Sequence, residues 1–168
     1  MRLDLRELLE KNGGELGFSC ELDTTRLDFP GVVEYLSPPH AEGVVRNTAG
    51  ALSLQGRLTA ELLCICDRCA AQFRLHRESA VDVKLTEDPQ DPEDPELFPI
   101  ENGELALDDL LETCFILDMD SKFLCRPECS GLCPGCGANL NDGPCSCRQS
   151  RDPRLAVLEQ LLDDNAKD

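Results

Sequence analysis

Leu52-Ser53-Leu54-Gln55-Gly56-Arg57-Leu58-Thr59-Ala60-Glu61-Leu62-Leu63-Cys64 is followed by Cys66-Asp67-Arg68-Cys69 and by a second run from Gln72 to Leu85, and this stretch decides the fold. Leu52, Leu54, Leu58, Ala60, Leu62 and Cys64 alternate with Ser53, Gln55, Arg57, Thr59, Glu61 and Leu63. A period of two sends successive side chains to opposite faces of an extended chain, so the run predicts a half-buried strand. The second run sets Phe73, Leu75, Val81, Val83 and Leu85 against Gln72, Arg74, His76, Asp82 and Lys84. Arg77 interrupts its apolar face, which predicts a bulge or an edge position. Together the runs predict two long antiparallel strands with a cysteine knuckle at their turn.

Outward from this hairpin the signals change. Residues 86–104 hold eight acids, four prolines and no Lys or Arg. Proline removes backbone donors and like charges repel, so an extended, solvated linker or long loop is expected, with an acidic recognition arm as the functional alternative. Leu107, Leu110, Leu111, Cys114 and Phe115 then fall at helical spacing, and Asp108, Asp109 and Glu112 suit the positive end of a helix dipole. A cysteine-rich run over 125–147 precedes Asp152-Pro153, a helix start for Leu155, Leu158, Leu161 and Leu162. Upstream, residues 1–48 mix a short helical start with extended pieces broken by Gly13-Gly14, Pro30-Gly31 and Pro38-Pro39.

The tail reads Cys125-Arg-Pro-Glu-Cys129-Ser-Gly-Leu-Cys133-Pro-Gly-Cys136-Gly-Ala-Asn-Leu-Asn-Asp-Gly-Pro-Cys145-Ser-Cys147. Two thiolates separated by two residues grip one tetrahedral ion when the chain turns tightly between them, and Gly137 after the second supplies the backbone freedom such a turn needs. Cys66 and Cys69 form a second such pair. Cys20, Cys64 and Cys114 read as small core residues, which leaves eight candidate metal ligands: Cys66, Cys69, Cys125, Cys129, Cys133, Cys136, Cys145 and Cys147. Zinc suits soft thiolates, and eight would fill two tetrahedral sites, although one ion with spare thiols stays open. Cys66 and Cys69 are expected to share an ion with Cys125 and Cys129; the rival grouping keeps all six tail cysteines to themselves.

Other chemistries are weaker. Cys133-Pro134-Gly135-Cys136 resembles a redox dithiol, but that reactivity needs a helix after the first Cys, and Gly137, Asn139, Asn141, Gly143 and Pro144 read as a loop. Iron in a four-thiolate or iron–sulfur site is a further alternative. Neither histidine, His40 or His76, sits in a catalytic pattern, and there is no Gly-rich phosphate loop. Closed four-cysteine sites leave no position for a reacting water. No enzyme activity is expected.

Size and charge set the remaining bounds. The 168 residues suffice for one domain and a small appendage, with 41% hydrophobic residues but only 4% aromatics and no Trp. Net charge is −17, which opposes contact with bare phosphate backbone and suits a basic protein partner; plain solubility is the bland alternative. Charges run through Met1–Glu7 and no apolar stretch reaches the roughly 18 residues of a membrane span, so neither a signal peptide nor a membrane anchor is expected. In a reducing cytosol, eleven cysteines point to metal or redox work rather than structural disulfides.

At these residues the chain resembles the YceD family of large ribosomal RNA subunit accumulation proteins. The likeness rests on Cys66-Asp67-Arg68-Cys69, on Asp108-Asp109-Leu110-Leu111, and most of all on the run from Cys125 through Gly131-Leu132-Cys133-Pro134, Cys136-Gly137-Ala138-Asn139-Leu140-Asn141 and Cys145-Ser146-Cys147 to Asp152-Pro153-Arg154-Leu155. It covers roughly residues 50–162. The resemblance implies a cytoplasmic, non-catalytic role in accumulation of 23S ribosomal RNA.

The expected fold is therefore α+β: an antiparallel sheet, either open or barrel-like, one main amphipathic helix, and a C-terminal cysteine-rich zinc module. Residues 1–120 are expected to form the sheet and helix, with 86–104 as linker, and 121–168 the zinc module with its terminal helix. The expected function is support of large-subunit biogenesis through a ribosomal protein or pre-50S particle, with direct rRNA contact left open and no small-molecule substrate. The rivals are a redox-responsive thiol protein that releases zinc on oxidation, and a generic zinc-ribbon adaptor.

Overall fold

The computed structural model describes residues 1–87 and 97–147. Its centre is the hairpin of β5 (Ala51–Ile65) and β6 (Gln72–Thr86), which pair antiparallel without a break from Leu52↔Leu85 to Ile65↔Gln72. The sequence alternation is the reason. Leu52, Leu54, Leu58, Ala60, Leu62 and Cys64 are all buried, and a one-residue slip would turn the whole set to water.

Strands β2 (Glu15–Glu21) and β4 (His40–Thr48) extend the sheet by antiparallel pairing, β4 against the first part of β5. Strand β3 (Val32–Tyr35) lies on the same edge of β5 nearer the knuckle, opposite Leu62–Cys64. On the far edge, β7 (Leu97–Pro99) pairs with Lys84–Thr86 in parallel. Among the described residues the strand order β2-β4-β5-β6-β7 leaves the sheet open, with no pairing between β2 and β7. Closure toward a barrel is thus not formed: β7 is three residues long, and its Pro99 has no N–H to donate.

One face of the sheet is covered. Helix α2 (Leu107–Asp118) lays Leu107, Leu110, Leu111 and Phe115 into a continuous core with Leu54, Leu58 and Leu62 of β5. The short α1 (Arg6–Glu10) adds Leu8, and β1 (Arg2–Asp4) pairs with β8 (Glu104–Ala106) beside them. Asn47 is buried at the end of β4, where its amide donates to the carbonyls of Leu8 and Leu9 and its oxygen accepts from the Gly50 N–H. It closes the C-terminal end of α1, where the Leu8 carbonyl also accepts from the Lys11 N–H and the last carbonyls of a helix have no partner inside it.

Three expectations change, and a fourth is resolved between its alternatives. The 86–104 segment is not all solvated linker: it contributes β7 and the first residue of β8, and Ile100 is buried; residues 88–96, where most of its acids fall, lie outside the described residues. The sheet contains one parallel pair. Of the two readings of Arg77, the edge position holds and the bulge does not form. Arg77 stays in register opposite Ala60, at an edge of β6 that is unpaired among the described residues, and its guanidinium binds Asp118 at the end of α2 and Asp120 just past it. Glu112 lies beyond the first turn of α2 and pairs instead with Arg26 from inside the protein. The terminal helix expected after Asp152 lies outside the described residues.

Candidate metal centres

Both cysteine pairs with two intervening residues fold into the same backbone turn. In the first, the Ala70 N–H donates to Cys66 O and the Cys66 N–H to Ala71 O; in the second, the Gly137 N–H donates to Cys133 O and the Cys133 N–H to Ala138 O. The residue after the second cysteine is left-handed in each, with φ +57° at Ala70 and +73° at Gly137. This turn aims both sulfurs of a pair to one side.

The eight candidate ligands fall into two groups, Cys66/Cys69/Cys125/Cys129 and Cys133/Cys136/Cys145/Cys147, and within each group all sulfurs lie within 4.8 Å of one another. The structure therefore brings together every cysteine singled out from the sequence, and Cys66 and Cys69 stand with Cys125 and Cys129. Cys64 is buried among leucines, while Cys20 and Cys114 pack partly buried against the same core.

In the first group Cys66 Sγ is 3.8 Å from Cys129 Sγ, and Cys69 Sγ is 3.7 Å from Cys125 Sγ. Zinc–thiolate bonds of about 2.3 Å set the edge of a tetrahedron at about 3.8 Å, so these sulfurs match one such ion. The second group is tighter, with Cys133–Cys147 at 3.1 Å and Cys145 at 3.3 Å from both. Its sulfurs must part by about 0.5 Å to take zinc. Both spaces suit a single ion rather than a cluster of iron and sulfide. Residues of both groups thus fit a tetrahedral, thiolate-bound metal.

The thiols themselves favour a cation. Burial would keep the proton on Cys66, but the backbone N–H groups of Cys125, Cys69 and Arg68 outweigh it and bring this thiol down to about 6. Cys125 is pushed up to about 12 by burial and by the surrounding sulfurs. In the second group Cys133 is brought down to about 6 by the Cys147 thiol and the Gly135 amide, while Cys147 is raised by Cys133 and Cys145. One thiol of each set ionises readily and another resists. Four adjacent thiolates need a positive charge among them.

The surroundings of the first group include residues whose roles the sequence did not reveal. Between its two knuckle cysteines, the Asp67 carboxylate accepts from the Phe123 N–H, and the Asp67 N–H donates to Phe123 O. Arg68 donates to the carbonyls of Pro127 and Cys129, and Leu132 N–H donates back to Arg68 O. These two side chains strap the 123–132 segment onto the tip of the hairpin. Phe123 is buried against Gly31, where even a Cβ would lie 2.2 Å from the ring. Asn141 reaches from the second group to donate to Cys129 Sγ at 3.3 Å and lowers that thiol. The acid–base pair inside Cys66-Asp67-Arg68-Cys69 was a visible signal; Gly31 stood only as a chain break and Asn141 only as part of the tail motif, and neither signalled its contact.

A family model described as large ribosomal RNA subunit accumulation protein YceD matches residues 54–162. The chain belongs to the YceD family. The matched region contains most of β5, all of β6 and α2, and both cysteine groups. For YceD proteins that description links the family to ribosomal RNA. Uncharacterized proteins of Mycobacterium bovis and Mycobacterium tuberculosis are 27% identical to this YceD chain over 126 residues, covering 70% of it and 59% of their own length. The chain thus spans about three fifths of the curated relatives it matches. No solved structure matches it. Among the described residues no helix is long and apolar enough to cross a membrane.

Proposed function

We propose that this chain is a non-catalytic, zinc-stabilised cytoplasmic factor for large-subunit biogenesis, which supports 23S rRNA accumulation by binding a basic ribosomal protein or a pre-50S particle. The observation that carries the reading is the family match over the hairpin, helix and cysteine groups. Each site takes four thiolates and leaves no coordination position for water or substrate, which supports a structural use of the metal over hydrolysis. The charge of −17 favours a partner rich in Lys and Arg over bare duplex RNA. Two arginines that would otherwise attract phosphate are already engaged, Arg68 with backbone carbonyls and Arg77 with Asp118 and Asp120.

Affinity capture from cells, with RNA and protein both identified, tests the role. Recovery of precursors of the large subunit together with a ribosomal protein is the expected outcome; capture of neither removes the assembly reading. Shift assays with 23S fragments decide the contact. The isolated protein should leave naked RNA unshifted at physiological salt, and tight, salt-sensitive binding would replace the protein partner with RNA. Metal analysis of freshly reduced protein should find zinc, and iron in its place would overturn the metal assignment.

A further inference from the structure

The two cysteine groups differ in how the fold holds them. In the first, Cys66, Cys69 and Cys129 are buried and form their own small core with Phe73 and Leu124. It joins the hairpin tip to the tail, and the Asp67 and Arg68 bonds close over it. The second group is made only from residues 133–147, all within the tail. Of its members only Cys133 is buried; Cys145 and Cys147 are half-buried, and Cys136 is exposed. Three of its sulfurs already touch at 3.1–3.3 Å, closer than a zinc tetrahedron places them.

We propose that the two sites have unequal roles: the Cys66/Cys69/Cys125/Cys129 site holds its ion permanently, whereas the Cys133/Cys136/Cys145/Cys147 site exchanges its ion and is oxidised by peroxides to a Cys133–Cys147 disulfide. The inference rests on the reading that both groups bind zinc. An oxidant or chelator reaches a thiolate only where the site is exposed or opens locally. The second site offers an exposed ligand without any opening. The first has no exposed ligand: Cys125 is half-buried, and its other three cysteines are buried beneath the segment that Asp67 and Arg68 strap down.

The chemistry balances with hydrogen peroxide as oxidant. One thiolate sulfur attacks a peroxide oxygen, the O–O bond breaks, and a sulfenic acid and hydroxide result. The second sulfur then displaces the sulfenic oxygen, forming the S–S bond. Two electrons pass from the sulfurs to the two oxygens, two protons complete two waters, and zinc leaves as an unchanged divalent ion. Cys133 and Cys147 are the nearest sulfur pair in the molecule's metal groups, so they are the partners assigned.

The test uses the full chain, reduced and zinc-loaded. Zinc per chain is measured first; hydrogen peroxide is then added with a chromogenic zinc chelator, and thiols are mapped at intervals by alkylation and peptide mass. The starting content should be two. One ion should leave at least about tenfold ahead of the other, as an opening cost of more than about 1.4 kcal/mol at the first site dictates. The disulfide-linked peptides of Cys133 and Cys147 should appear with that fast phase, while Cys66, Cys69, Cys125 and Cys129 stay unmodified. A Cys136→Ser chain should start with one ion and lack the fast phase. Fewer than two ions in the native chain would end the two-zinc reading and this inference together. Two ions leaving in one phase, or a Cys136→Ser chain holding none, would overturn the inequality alone.

Discussion

Ala70 and Gly137 occupy the same place in two copies of one turn, and exchanging their side chains should move stability in opposite directions. Ala70 has φ +57° and is exposed, so its backbone is strained and its methyl group is not part of the core. A left-handed alanine costs about 1–2 kcal/mol relative to glycine, and glycine gives back about 0.5–1 kcal/mol through its freer unfolded chain. Ala70→Gly should therefore stabilise the protein by up to about 1 kcal/mol. Gly137 has φ +73°, and a Cβ added there would have nothing within 4 Å, so Gly137→Ala meets no clash and suffers only the backbone cost. It should lose up to about 1 kcal/mol by the same difference. For a chain of this size each change shifts Tm by about 2–4 °C. Thermal unfolding of zinc-loaded protein, each variant against wild type at one zinc concentration, provides the measurement. A lower Tm for Ala70→Gly, or a higher one for Gly137→Ala, would refute the claim that the two turns share a strained position.

Other perturbations test the remaining supports. Asn47→Ala removes the side-chain donor to the Leu9 carbonyl and the acceptor of the Gly50 N–H, leaves Leu8 O with only the Lys11 N–H, and should cost about 1–3 kcal/mol in denaturant titration. Gly31→Ala forces a methyl group into the Phe123 ring and should cost about 1–3 kcal/mol, with most of the loss recovered in Gly31→Ala/Phe123→Leu; no recovery in the double variant would contradict the contact. The Asp118 carboxyl is held below its ordinary value first by the Ser79 hydroxyl and then by Arg77, so its contribution is complete above the usual carboxylate range and is lost as pH falls through it. The Tm gap between wild type and Asp118→Asn should be widest near pH 7 and close toward pH 3.

How much of this was legible in the sequence depended on whether a residue's partner lay nearby in the chain. The period of two over 52–85 and the helical spacing over 107–115 are local patterns, and both survive into the structure because each buried face is continuous. The cysteine pairing was legible for a similar reason: a knuckle presents only two sulfurs, so each needs another pair. Leu97–Pro99 and Glu104–Ala106 were not legible, since three residues cannot display a period and the neighbouring prolines and acids dominate the reading. Arg77 looked like a flaw in a strand because its acids stand 41 and 43 positions away. Asp67 and Arg68 gave a chemical hint without a direction, as their partners are backbone groups of the tail.

The strap between hairpin tip and tail also fixes an order of events during synthesis. Cys69 is made 56 positions ahead of Cys125, which at about 5–20 residues per second is a delay of roughly 3–10 s. Through that interval the tip of the β5–β6 hairpin has two of the four thiols of its group, and β5 already has strands β2, β3 and β4 from upstream. The sheet must hold its register on leucines alone until the tail arrives. Closure at Cys125 and Cys129 can come only after α2 and everything before it has been made.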